Sequence, residues 1–260
     1  VRFTVSATGA VPAEMQNLKG VETHTFRGPH PSGLVGTHIH EIAPLGDGEV
    51  VWFLKAQEAA LLGAWVLHGR YPAIRTVAVS GTAAPERQYY RVRQGAALAS
   101  LTGGKELGAD VRLINGTVLN GEACGPDSYL GFFANTVTVL PETDQRDLFG
   151  WALPQFSKHS ASRAVMSWLL PKQEYTLDTR MHGGPRAIVN IGAWERVMPL
   201  DIYPTYLVRA IQANDLVEAM DLGLLEVTEE DVALCTFVDP CKIEVGEVIR
   251  RGLDMYEEEE

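Results

Sequence analysis

The chain has 260 residues, 22 basic and 33 acidic side chains, a formal net charge of −11, and 46% hydrophobic against 21% charged residues. That balance excludes a disordered chain, a collagen and a disulfide scaffold, and a pI of about 5.1 argues against a nucleic-acid binder, whose surface must be basic. No apolar run reaches the roughly 18 residues that would suggest a membrane-spanning helix, so no transmembrane helix of its own is expected.

In chain order, Val1–Ala7 alternates apolar and polar residues, the signature of a strand. A loop rich in glycine and proline follows Phe26: Gly28, Pro29, Pro31, Gly33 and Gly36. Glu49–Leu54 reads as a short apolar strand and Gln57–His68 as a helix that should be largely buried, with Gly69 placed to cap its end. From Arg75 the texture changes to short strands and turns: Thr76–Ser80, Tyr89–Val92, Val111–Asn115 and Thr136–Leu140, with Ala97–Leu101 as one small helix. Short strands around one helix describe a compact α+β module. The pattern weakens between Leu140 and Pro199 and turns helical from Pro204. Asn214 or Asp215 can cap a helix ending near Gly223, Thr228 and Asp231 resemble a capping box with Asp in place of Glu, and Val245–Tyr256 is a terminal helix.

The acidity is confined to the C-terminal piece. Residues 1–212 hold 19 basic and 18 acidic groups, whereas residues 213–260 hold 3 and 15. A solvated helical face accounts for this, and a docking surface for a basic partner is the sharper alternative. Three widely spaced cysteines, Cys124, Cys235 and Cys241, fit free thiols in a reducing compartment. The chain opens with Val1 and shows no signal peptide; a start inside an alternating strand reads as a fragment of a longer protein.

The densest polar cluster is Arg27 to His40, with three histidines, His30, His38 and His40. His38 and His40 share a face on a strand and diverge on a helix. A metal would need three or four ligands in closed geometry, and no nearby thiol or carboxylate completes a recognised spacing although Glu41 is adjacent. The glycines form neither a dinucleotide fingerprint nor a P-loop. Cys235 and Cys241 look like an iron–sulfur remnant, but a four-iron cluster takes four thiolates and Asp239 stands before Pro240, so no cluster is expected. The tryptophans Trp52, Trp65, Trp151, Trp168 and Trp194 read as core or interface residues.

Six segments, taken together, resemble one family. They are Phe26–His40 (FRGPHPSGLVGTHIH), Val111–Leu119 (VRLINGTVL), Gly125–Gly131 (GPDSYLG), Leu148–Pro154 (LFGWALP), Glu195–Asp201 (ERVMPLD) and Thr228–Val238 (TEEDVALCTFV). In this order they are similar to the A subunit of the sodium-translocating NADH:quinone reductase. The resemblance implies a fold class of α/β plus α+β: a partial nucleotide-binding-like domain, a β-grasp (SLBB) module and a small C-terminal helical region. It implies that residues 1–73 are the latter half of a flavoprotein-like α/β domain, 74–152 the SLBB β-grasp domain, 153–199 a connecting segment and 200–260 a helical domain without an iron–sulfur cluster. The amino-terminal domains of that protein would be missing. A half-domain of this kind leaves apolar surface uncovered.

The same resemblance implies a peripheral subunit on the cytoplasmic face of the bacterial inner membrane. It would take part in quinone binding and complex assembly, with the other subunits of the reductase as partners. NADH oxidation and sodium transport would belong to those other subunits. No redox cofactor is expected on this chain, quinone (ubiquinone or a related ring) is the candidate ligand of the full-length protein, and the fragment alone should be inactive. The family usually reads Cys-Pro where this chain has Asp239-Pro240, which weakens any shared thiol role. No residue is assigned a catalytic role or a metal. A quinone needs an apolar slot with one or two hydrogen-bond donors, and His30, His38, His40 and Tyr129 are the candidate donors. The alternatives are a purely structural docking scaffold, with any quinone site in the missing N-terminal part, and a metal-dependent enzyme using the histidine loop.

Overall fold

A computed structural model describes residues 1–260 except 10, 12–14, 16–17, 47, 102–109, 146–155, 157, 160–164, 171–173, 189–191 and 260. The expected features at Leu148–Pro154, Trp151 among them, lie outside the described residues. The chain divides into two compact units, one formed by Val1–Phe53 with Pro185–Glu260 and the other by Leu54–Gly184. The fold is mixed α/β with a mixed five-stranded sheet, as the sequence suggests, and no helix among the described residues is long and apolar enough to cross a membrane.

In the first unit, β1 (Arg2–Ser6) pairs in parallel with β2 (Glu22–Phe26), in a register that sets Phe3 beside Thr23 and Val5 beside Thr25. The glycine- and proline-rich loop then leads into α1 (Val35–Ile42). The C-terminal part of this unit is helical: α4 (Pro204–Gln212), α5 (Leu216–Asp221), α6 (Ala233–Val238) and α7 (Val245–Glu259). Pro204 sits in the first turn of α4, where its missing N–H costs nothing. Asp215 caps α5 by accepting from the Glu218 N–H, as the sequence suggests, while Asn214 takes the left-handed conformation just before it. Leu207, Val208 and Ile211 of α4 pack with Ala219, Leu224, Val232, Cys235, Val245 and Ile249 into one core. On α7 the buried residues Val245, Ile249 and Gly252 fall on one stripe at helical spacing, and Asp254 and Glu257 are exposed.

Thr228 and Asp231 close a turn before α6 and do not start a helix. Only the backward half of a capping box forms: the Asp231 carboxylate accepts from the Thr228 N–H and hydroxyl. The start of α7 is capped from a distance, Thr236 Oγ1 accepting from the Val245 N–H at 3.0 Å.

In the second unit, α2 (Ala56–His68) precedes a sheet of β3 (Ile74–Ser80), β4 (Gln88–Arg93), β5 (Val111–Asn115), β6 (Glu122–Cys124) and β7 (Thr136–Pro141), in the spatial order β4-β3-β7-β5-β6. All neighbours are antiparallel except β3 and β7. The register sets Val79 beside Val137 and Leu113 beside Val139, so one face of the sheet is a continuous aliphatic surface covered by Leu98 and Leu101 of the short helix α3 (Leu98–Leu101). The short strand β6 carries too few alternating residues to be legible in the sequence. Gly81, at φ +104°, lies so close to β7 that a Cβ there would meet the Val139 carbonyl oxygen at 2.1 Å.

Two further expectations fail. Glu49–Leu54 is not a strand: it has no ladder partner among the described residues, and Val50 and Trp52 stand 77% and 92% exposed. An apolar run becomes a strand only when a neighbour takes up its backbone groups. Helix α2 runs where expected and ends at Gly69 in the left-handed conformation, but none of its residues is buried. Leu62, Trp65, Val66 and Leu67 are all exposed. Of the tryptophans, Trp194 is in the core, while Trp52, Trp65 and Trp168 are exposed.

Candidate functional site

The loop from Phe26 to Leu34 is shaped by its own backbone. Ser32 N–H donates to the Pro29 carbonyl and Leu34 N–H to the Pro31 carbonyl, and the His30–Pro31 peptide is cis. The chain then enters α1, so the three histidines fall in three settings. His30 lies in the loop and is exposed. His38 and His40 are two positions apart on a helix, roughly 200° around its axis, and diverge. His38 packs its ring on Phe26, centroids 4.0 Å apart, and its Nε2 lies 2.8 Å from the Ser32 carbonyl. A carbonyl only accepts, so His38 carries its proton on Nε2. His40 shows the opposite tautomer: its Nε2 accepts from the Asp201 N–H at 3.3 Å. The three rings therefore do not converge, and no group of three or more His, Cys, Asp or Glu side chains among the described residues is placed to hold a metal ion.

Helix α1 is seated against the C-terminal part of its own unit through Gly36. A Cβ at this position would lie 2.3 Å from Asp231 Oδ1, closer than any atom pair tolerates. Asp231 is itself buried, and its carboxylate is held by Thr228. The glycine is therefore needed for close approach to a carboxylate, a requirement the loop's turn chemistry gives no hint of.

Tyr129 belongs to the second unit. It lies in the loop between β6 and β7, bridged through its backbone to Ala97, its carbonyl accepting from the Asn115 side-chain amide, and its ring is 67% exposed. Phe132 and Phe133 follow in the same loop, both exposed, with rings edge to face at 4.8 Å. Arg75 anchors this loop from beneath, its guanidinium donating to the Phe132 carbonyl and to Asn135 Oδ1. Arg75 occupies the same face of β3 as Val77 and Val79 and is buried there. A charge at the inward parity of an apolar strand is a signal legible in the sequence, although Arg75 is not among the candidate residues.

Burial, reinforced by Glu195 and Asp239, pushes the Cys235 thiol up to about 12. A four-iron cluster takes four thiolates and the chain holds three cysteines, one of them, Cys124, on β6 of the other unit. Asp239 accepts from the Ile243 N–H at 2.9 Å and shapes the turn into α7.

Two family models match the chain. One, described as the NqrA second alpha/beta domain, covers residues 1–71. The other, described as the NQRA C-terminal domain and of SLBB type, covers residues 76–125. Among curated proteins, the chain is 43% identical over 255 residues to the A subunit of the Na(+)-translocating NADH-quinone reductase of Neisseria gonorrhoeae, covering 97% of this chain and 57% of that protein. It is 42% identical over 240 residues to the proteins of the same name from Vibrio atlanticus and Yersinia pestis, covering 92% of this chain and 54% of each. The chain thus spans little more than half the length of these relatives. Both domain models and all three relatives point the same way: the chain belongs to the NqrA family, the A subunits of Na(+)-translocating NADH-quinone reductases.

Proposed function

We propose that this chain works as part of a peripheral subunit of a sodium-translocating, NADH-oxidising and quinone-reducing complex, where it contributes to quinone binding and assembly and carries no redox centre of its own. The observation that carries this reading is the 43% identity, over 97% of the chain, to a protein named as the A subunit of that reductase. The partners would be the other subunits, and the site of action the cytoplasmic face of the membrane.

Of the four candidate quinone donors, His30 and Tyr129 have exposed rings, whereas His38 and His40 each commit Nε2 to the backbone of their own unit. A quinone carbonyl accepts a hydrogen bond, and an exposed imidazole or phenol can supply it. The test is a titration of a short-tailed ubiquinone analogue against this chain and against a full-length relative, followed by tryptophan fluorescence. Saturable binding to the chain, weakened by His30→Ala or Tyr129→Phe, supports a local site.

The scaffold reading has its own support. The exposed apolar residues of α2, Trp65, Val66 and Leu67, form a surface suited to burial against a neighbour. Binding of the quinone analogue by the full-length relative alone would favour it.

A further inference from the structure

The outer edge of β4 is an open strand edge with a defined charge. In the order β4-β3-β7-β5-β6 it is a terminal strand, joined among the described residues only to β3. Its six residues, Gln88–Arg93, contain two arginines and no acidic group, proline or glycine, and they pair with β3 through an unbroken register from Ile74↔Arg93 to Val79↔Gln88. Devices that commonly spoil a free edge, a bulge or an internal proline, are absent from it.

The hydrogen-bond parity says which groups look outward. Gln94 N–H donates to the Ala73 carbonyl, while Thr76 and Ala78 direct their N–H groups away from β4, toward Gln57 and Asn135. Bonded and non-bonded pairs alternate along an antiparallel ladder. Val92, Tyr90 and Gln88 therefore bond to β3, and Tyr89, Arg91 and Arg93 present their backbone groups to the open side. The Arg93 carbonyl is taken by the Ala96 N–H, which leaves both groups of Tyr89 and Arg91 and the N–H of Arg93. The side chains of these three residues lie on the face away from the core and are exposed, Tyr89 to 78%.

We propose that this edge receives an extended acidic segment of a partner protein by strand addition, with carboxylates at alternate positions set opposite Arg91 and Arg93. Backbone bonding supplies a ladder that any extended chain can use, and the charges choose among chains. A second copy of β4 is selected against, because pairing edge to edge lays one arginine row beside another. An acidic strand turns the same row into cross-strand ion pairs, and Tyr89 offers a ring to the neighbouring side chain on that face. The inference stands on the sheet alone and does not rest on the quinone reading.

The test uses the intact chain and three synthetic peptides: one alternating Thr and Glu, one alternating Thr and Lys, and the Glu peptide with a central proline. Amide hydrogen exchange is read at Tyr89, Arg91 and Arg93. The Glu peptide should slow exchange at all three, with the other two peptides binding roughly tenfold more weakly, the worth of two cross-strand pairs. In the double variant Arg91→Glu, Arg93→Glu the preference should reverse to the Lys peptide. Both side chains are exposed, and an unchanged circular dichroism spectrum would show the sheet intact. The proposal fails if the Glu peptide protects none of these amides, or if the Lys peptide protects them equally well in the unsubstituted chain.

Discussion

The side-chain amide of Gln57 is joined to the backbone of Thr76 at both ends, Oε1 accepting from the Thr76 N–H at 2.8 Å and Nε2 donating to the Thr76 carbonyl at 3.1 Å. Thr76 lies on β3 just before its pairing with β7 begins at Ala78. The amide of Gln57 thus takes the place of the next ladder residue and ties the first turn of α2 to the sheet. Asn135 Oδ1 accepts from both Gln57 and Arg75, extending the tie to the loop before β7.

Gln57→Ala should cost about 1–3 kcal/mol in urea unfolding, the net worth of three hydrogen bonds near the surface. It should also speed hydrogen exchange at the Thr76 amide. Gln57→Glu keeps the acceptor, so exchange at Thr76 should stay slow in that variant. Equal exchange in all three proteins would show that the tie is not formed in solution.

Gly36→Ala should destabilise the chain by about 1–3 kcal/mol, as overpacking does. Its new Cβ would fall 2.3 Å from Asp231 Oδ1 and drive that carboxylate off Thr228. In an Asp231→Ala background the same change should cost clearly less, a coupling of about 0.5–3 kcal/mol between touching residues. Additive effects in the double-mutant cycle would place the strain elsewhere.

Cys235 gives the chain an alkaline weakness. Its thiol is pushed up to about 12, largely by burial, from an ordinary 9.0. The folded state therefore holds a proton that the unfolded state releases above that ordinary value. The stabilising contribution is complete below pH 9 and is lost as pH rises toward the folded value. Cys235→Ala should lower stability at neutral pH through its cavity and flatten the decline above pH 9. Chemical unfolding from neutral pH to beyond that ordinary value reads both effects, and identical slopes would refute the assignment.

Arg112 of β5 and Glu142, just after β7, form a two-pronged pair with both contacts at 2.7 Å. The Arg112 guanidinium, helped by Thr179, holds the Glu142 carboxyl below its ordinary 4.5. Its stabilisation is present above that value and fades as pH falls through the lowered one. Because Arg112 is exposed and Glu142 only partly buried, Glu142→Gln should cost less than about 1 kcal/mol at neutral pH, and less still in high salt. Thermal melts at neutral and at strongly acidic pH should differ less in the variant than in the unsubstituted chain.

Five expected strands, β1, β3, β4, β5 and β7, stand within two residues of their expected bounds, because period-two patterning and turn residues act over a few positions. The Asp215 cap and the Gly69 stop fall where expected, and the terminal helix starts at Val245 as expected but runs three residues further, to Glu259. The candidate site was legible only as a set of donors. That His38 and His40 would diverge followed once α1 formed, but which carbonyl or amide each would meet depended on Ser32 and on Asp201, a residue far along the chain.

Sequence alone therefore determined the family, the positions of every strand of the five-stranded sheet but β6, and several helix ends, since each is encoded by neighbours in the chain. Tertiary structure decided the rest: that Glu49–Leu54 stays unpaired, that α2 keeps its apolar residues exposed, that Gly36 must make room for Asp231, and that Gln57 completes the ladder of β3. These depend on which distant groups the folded chain brings within a few ångström of one another, and a local pattern carries no record of a partner that arrives only on folding.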